Sequence, residues 1–137
     1  MSLKLEIVTP EAKVFSDEVT TVVLPGMLGE MGVLPNHAPI VTALIPGELR
    51  YTQGNTTTEL AIGDGFVEVT ASTVKVLTDL AVTEAGIDEA TVQAALERAQ
   101  SRLKDAPSLG AEEIAAVEAS IAKSIAQLHL KRKRRSI

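Results

Sequence analysis

Two histidines, His37 and His129, are the first side chains to weigh for chemistry, and they stand far apart in the chain. Neither belongs to a pair with metal-ligand spacing, and no H-E-x-x-H occurs. The absence of cysteine removes disulfides, thiolate metal sites and cysteine nucleophiles together. Serine and threonine are plentiful, but no G-x-S-x-G elbow presents one as a nucleophile. No G-x-x-x-x-G-K-[ST] cradle for phosphates is present. Gly63 and Gly65 have the form G-x-G, yet they lead into a strand pattern, the wrong context for a dinucleotide fold. The sequence therefore carries no catalytic constellation, metal site or cofactor motif, and the expected chemistry is recognition.

Two stretches could perform it. The first is Gly26–Pro39, which packs three glycines, two prolines and His37 into fourteen positions. Glycine opens backbone angles closed to other residues, and proline fixes φ and removes a donor. A shaped strand-and-turn surface follows, with Glu30 set between Gly29 and Met31 where another chain can approach closely. The second is the run Lys131-Arg132-Lys133-Arg134-Arg135. Five consecutive cations suit nucleic acid, an acidic membrane face, an acidic protein segment or plain solvation. Nucleic-acid readers usually add a basic face or stacking aromatics. Here residues 1–85 carry eleven acids against four bases, and the chain has one Tyr, two Phe and no Trp. An acidic protein surface is the better match.

The elements that must position these stretches divide at about residue 85. In residues 3–83 short alternating runs recur between turn signals: Leu3-Leu5-Ile7, Val14-Phe15, Val19–Leu24, Ile40–Ala43, Leu49–Thr52, Thr58–Ile62, Phe66–Thr70 and Val74–Leu77. Pro25-Gly26 and Pro46-Gly47 mark turns, and Gln53-Gly54-Asn55-Thr56 reads as a hairpin. Spacing this regular predicts a β-sandwich or flattened antiparallel barrel. With aromatics so scarce, its core must be built from Val, Ile, Leu and Ala.

From Gly86 the period changes. Asp88 is an N-cap, with Ile87 and Val92 placed for a hydrophobic staple. Val92, Leu96, Ala99 and Leu103 form one helical stripe, and the segment Asp105–Gly110 stops it. Ile114, Val117, Ile121, Ile125 and Leu128 form a second stripe that ends in the basic tail. The fold class is thus α+β: a sandwich over 1–85, then an antiparallel α-helical hairpin with a basic tail over 86–137. The hairpin offers about eight large apolar side chains, roughly 1.5–3 kcal/mol each if fully buried. Ordering some forty residues costs roughly 1.5 kcal/mol each before hydrogen bonding offsets part of it. The hairpin must borrow a surface, and such a segment suits either permanent docking or switching between docked and extended states. No run of eighteen apolar residues predicts a membrane span, and no signal-peptide layout opens the chain.

The run Gly29-Glu-Met-Gly-Val-Leu-Pro-Asn-His-Ala-Pro-Ile40 resembles the ε subunits of F-type ATP synthases. Thr42-Ala43, Pro46-Gly47, Leu5-x-Ile-Val-Thr-Pro10 and Gly63-x-Gly-Phe-Val-Glu-Val69 support the resemblance over nearly the full length. The wording Gly-Val-Leu-Pro-Asn-His-Ala-Pro looks most like cyanobacterial and plastid members. The resemblance implies a non-catalytic rotor subunit whose sandwich holds the foot of the γ shaft against the ring of c subunits, with a helical hairpin that restrains ATP hydrolysis. It implies γ, the c ring and the catalytic β and α subunits as partners. It also implies peripheral attachment to the membrane through the complex, on the cytoplasmic or stromal side, a thylakoid membrane being expected. Carried over by position, Gly29, Glu30 and Met31 match the c-ring contact. Pro35, Asn36 and His37 match the turn beside that contact and the γ foot. Arg98, Arg102, Lys104, Lys123, Lys131, Arg132, Lys133, Arg134 and Arg135 match in general character the cationic face turned toward γ and an acidic loop of β. Some members bind ATP through Ile/Leu-Asp-x-x-Arg-Ala. Here the segment reads Ile87-Asp88-Glu89-Ala90-Thr91-Val92, so the arginine is missing, no ATP is expected, and Asp88 is read as a cap. A second reading, from charge alone, is an acidic scaffold whose basic tail binds anionic polymers or membrane surfaces.

Overall fold

The computed structural model describes residues 2–104 and 108–135, with side chains described up to residue 133. Alternation builds ten strands: β1 (Leu3–Val8), β2 (Lys13–Val19), β3 (Thr21–Gly26), β4 (Gly29–Val33) and β5 (Ile40–Leu44), then β6 (Gly47–Gln53), β7 (Thr56–Ile62), β8 (Gly65–Val69), β9 (Thr73–Thr78) and β10 (Ala81–Thr83). They join into one sheet ordered β10-β7-β6-β3-β5-β8-β9-β1-β2, with β4 paired to β3. All pairs are antiparallel except β1 with β9. The sheet folds over on itself into the expected nearly closed barrel. Its corner is fastened where Thr20 N donates to Thr52 O at 2.7 Å and Gln53 Nε2 donates to Glu18 O at 2.9 Å.

The interior is aliphatic. Every second residue of each long strand points inward, so Leu3, Leu5, Ile7, Val22, Leu24, Leu49, Leu60, Ile62, Val67, Val69, Val74 and Val76 are all buried in one cluster. Two of the three aromatics, Phe15 and Tyr51, pack on each other with ring centroids 4.4 Å apart. Gly65 allows the tightest approach: a Cβ there would sit 1.9 Å from Leu77 O.

Two boundaries differ from the pattern. Val19–Leu24 is not one strand; the chain turns at Thr20, whose hydroxyl also donates to Thr52 O at 2.9 Å. Pro25-Gly26 is not the turn but the end of β3. There β3 changes partner, pairing β6 through Val23 and β5 at Gly26, and such a break in the ladder tolerates a residue without an N–H.

A 3₁₀ turn, Glu84–Gly86, leads into α1 (Glu89–Lys104), and α2 (Ala111–Arg135) returns antiparallel to it. Residues 105–107 of the expected helix stop lie outside the described residues. The basic tail continues the helix: residues 131–135 form the end of α2. α2, rather than α1, lies along the outer face of β6 and β7. The second stripe is shifted from the one expected, because α2 serves two surfaces. Val117 and Leu128 are buried, but Ile125 is half exposed, and Leu130, outside the stripe, is completely buried. Leu130 packs with Ala61 of β7 and Ile87, and Val82 and Val92 lean on that cluster. Ile87 and Val92, the expected staple pair, thus belong to the same apolar patch.

Candidate functional site

The outer surface of the sandwich has two unlike faces. On the β6–β7 face, Glu48 and Arg50 stand two residues apart on β6, and Glu59 of β7 lies opposite Arg50. α2 brings Lys133 over them. Its ammonium donates to Glu48 Oε1 and to Glu59 Oε2, each at 2.9 Å. These two bonds to carboxylates raise the Lys133 pKa above its ordinary value. Lys131 pairs with Glu84 at 3.1 Å, Arg132 with Glu89 at 2.9 Å, and Lys123 with Asp79. Arg132 also donates to Gln93 Oε1 at 2.9 Å. The expected cationic face is therefore largely turned inward on the chain's own acids. Arg102 pairs with Glu113 across the helices at 3.5 Å. Arg98 lines a groove between α1 and α2, and Lys104 is exposed at the end of α1. The side chains of Arg134 and Arg135 lie outside the described residues.

Glu30 sits near the tip of the β3–β4 hairpin, on β4 opposite Pro25. Gly29 beside it has φ +127°, a conformation that L side chains rarely adopt, so this turn needs a glycine. Next to it Met27 and Leu28 project into solvent, Leu28 fully. Arg50 donates to Glu30 with both terminal guanidinium nitrogens, Nη2 to Oε1 at 3.2 Å and Nη1 to Oε2 at 3.5 Å. That bond, chiefly, raises the Arg50 pKa. Met31 turns inward and packs on the core.

The loop with Pro35, Asn36 and His37 lies elsewhere. β4 separates it from Glu30, so it occupies the opposite end of the sandwich, and the expectation that the turn stands beside the Glu30 contact is corrected. Antiparallel return of β4 along β3 is the reason. Asn36 takes φ 69° and its N–H donates to Ala71 O at 2.8 Å, while His37 Nδ1 donates to Ala38 O at 2.6 Å.

The second outer face was not anticipated. Register aligns Ala43 with Phe66, Phe66 with Leu77 and Leu77 with Val8, a row of apolar side chains crossing β5, β8, β9 and β1. Phe66 is 59% exposed, Val41 69% and Leu77 46%. Phe66 and Leu77 had looked like ordinary members of their strands; only cross-strand register shows that they adjoin, while Val41 lies opposite Glu68.

At the start of α1 the cap forms as expected. Thr91 N–H donates to Asp88 Oδ1 at 3.3 Å and Thr91 Oγ1 donates to Oδ2 at 3.0 Å. Both bonds hold the Asp88 pKa below its ordinary value, that from the hydroxyl most. Among the described residues no group of His, Asp or Glu is placed to hold a metal ion, and no helix is long and apolar enough to cross a membrane.

The sandwich thus has one open outer face crossed by an apolar row and another clasped by a helical arm. Family models agree in both parts: the ATP synthase delta/epsilon chain β-sandwich domain matches residues 2–84, and the long α-helix domain of the same chain matches residues 86–131. The chain belongs to this family, as an epsilon subunit of F-type ATP synthase. It is 43% identical over 135 residues to the ATP synthase epsilon chain of Dehalococcoides mccartyi, covering 97% of this chain and 94% of that one. It is 48% identical over 103 residues to ATP synthase epsilon chain 2 of Syntrophotalea carbinolica, covering 75% of each. The fold is also similar to a chain in the OSCP/F1/c-ring structure of Euglena gracilis mitochondrial ATP synthase. There the TM-score is 0.76 and the identity 22%, with 99% of this chain and 82% of that one covered.

Proposed function

We propose that this epsilon subunit is a rotor part of the central stalk that couples the c ring to γ and restrains ATP hydrolysis through α1 and α2. The observation that carries the reading is the division of the outer surface. The open row Ala43–Phe66–Leu77–Val8 gives a stiff, apolar face suited to a permanent partner, and we assign it to γ. Residues 34–39, with His37, border that face through Ile40 and Val41, which keeps this loop in the γ contact. The hairpin tip with Gly29 and Glu30 takes the polar loops of the c ring. A barrel wall transmits torque without yielding, because its interior is close-packed.

The other face supports the restraint. α2 is held to the sheet by one small apolar cluster and by ion pairs, most of them partly exposed and individually weak. Released, it would carry Lys131, Arg132 and Lys133 away from their acids and toward an acidic surface of the catalytic ring. As one rod, residues 88–130 would reach roughly 60 Å. The complex holds the chain at the membrane, and the wording of residues 32–39 supports a thylakoid membrane.

Phe66→Asp should abolish capture of γ while leaving the isolated chain folded by circular dichroism; undiminished capture would move γ off this face. A cysteine at position 30 should crosslink to the c-ring loop under oxidising conditions, and failure there and at positions 28 and 29 would point the tip elsewhere. ATP is not a ligand of this chain: Thr91 stands where the motif has arginine, and it occupies the Asp88 carboxylate. Calorimetry should show no saturation up to millimolar ATP, and saturation below that would overturn the assignment. The scaffold reading loses its main support, since Lys131, Arg132 and Lys133 already face carboxylates.

A further inference from the structure

One chain of charges runs from the exposed tip to the end of α2. Arg50 divides its guanidinium between two acids, reaching Glu30 at 3.2 Å and Glu48 at 3.8 Å. Glu48 in turn divides a single oxygen, Oε1, between Arg50 and Lys133. Lys133 is the clasp that holds the last turns of α2 to β6 and β7. Glu30, Glu48, Arg50 and Lys133 line one cleft beside Pro25 and Gly26. Glu48 is the least exposed of the four, its side chain at 13%, so its charge is the hardest for water to satisfy.

We infer that the tip and the arm are coupled through this chain with a fixed sign: neutralising Glu30 loosens α2, and loosening α2 frees Glu30. With Glu30 taken by a partner's cation, Arg50 turns wholly to Glu48 and competes with Lys133 for Oε1. That competition weakens the clasp. In reverse, departure of Lys133 leaves Glu48 to Arg50, and Glu30 becomes available to an outside cation. Linkage requires the two directions to match in free energy. The inference deepens the reading of α2 as a releasable arm and rests on it for its meaning, but the coupling itself is a property of the isolated chain. A basic loop seated on the tip would thereby favour the released arm.

The test is amide hydrogen exchange of the full chain, followed residue by residue at low ionic strength and again near 0.5 M salt. Glu30→Gln should speed exchange at residues 128–133 by about two- to fivefold at low salt, the range of a partly exposed ion pair. The increase should shrink at high salt, where the Debye length falls to a few Å. In a Lys133→Met background Glu30→Gln should add nothing. Unchanged exchange in Glu30→Gln beside faster exchange in Lys133→Met would overturn the coupling. So would an equal effect of Glu30→Gln with and without Lys133. Failure of the releasable arm looks different: amides of α2 in the wild-type chain would exchange as slowly as those of β1 and β7. The coupling would then still register as nonadditivity of the two substitutions in denaturant stability.

Discussion

Asp88 shows how much one carboxylate decides at the start of the arm. Its two oxygens take the Thr91 amide and hydroxyl, and both bonds favour the ionised form. A carboxyl with a lowered folded pKa stabilises fully above its ordinary value, near 3.8, and loses that contribution as pH falls through the lower folded value. Amide protection in the first turn of α1 should therefore fall only in strong acid. Asp88→Asn should keep the cap while removing that pH dependence, and an unchanged acid profile would show that another group controls it. Gly65→Ala should cost about 1–3 kcal/mol in urea unfolding, as overpacking against Leu77 O does in a filled interior. The cap was legible because Ile87, Asp88 and Val92 signal locally. The Glu30–Arg50 pair was not: it joins residues twenty positions apart, and only the pairing of β4 with β3 and of β3 with β6 brings them together.

At the scale of elements, what matters is how α2 sits on β7. Ala61 is the small residue on the outer face that lets Leu130 approach. Ala61→Leu should push α2 off the sheet at a cost of about 1–3 kcal/mol without disturbing the interior, raising exchange in α2 while leaving β1 and β9 protected. Leu130→Ala should do the same through lost burial, about 2–5 kcal/mol. Protection of β1 and β9 falling with α2 would mean that sheet and arm unfold as one. Lys133 adds an alkaline limit. A lysine with a raised folded pKa stabilises fully below its ordinary value of 10.5 and loses the contribution as pH rises through the higher folded one. The existence of both helices could be read from their periods. That 131–135 would be helical and that Lys131, Arg132 and Lys133 would be docked could not, because adjacent cations repel until the acids of β6, β7 and residues 84–89 are placed against them. Nor could the shift of burial from Ile125 to Leu130, since a single helical stripe cannot report a helix that packs on two surfaces.

For the molecule as a whole, the sandwich interior does not draw on the arm: among the described residues, the sixteen buried members of its core cluster all come from β1 to β9. Against the sheet the arm adds the patch around Ala61 and the ion pairs. A sandwich of this family thus has its own reason to fold, and the arm has a reason to leave. The central claim is that grip and restraint reside in separable parts. Its most direct test compares ATP hydrolysis by the assembled enzyme carrying the full chain with that carrying residues 1–85 alone. The account predicts that the shortened chain still joins γ and the c ring and that hydrolysis rises several-fold. A shortened chain that fails to assemble, or one that assembles with the rate unchanged, would contradict it.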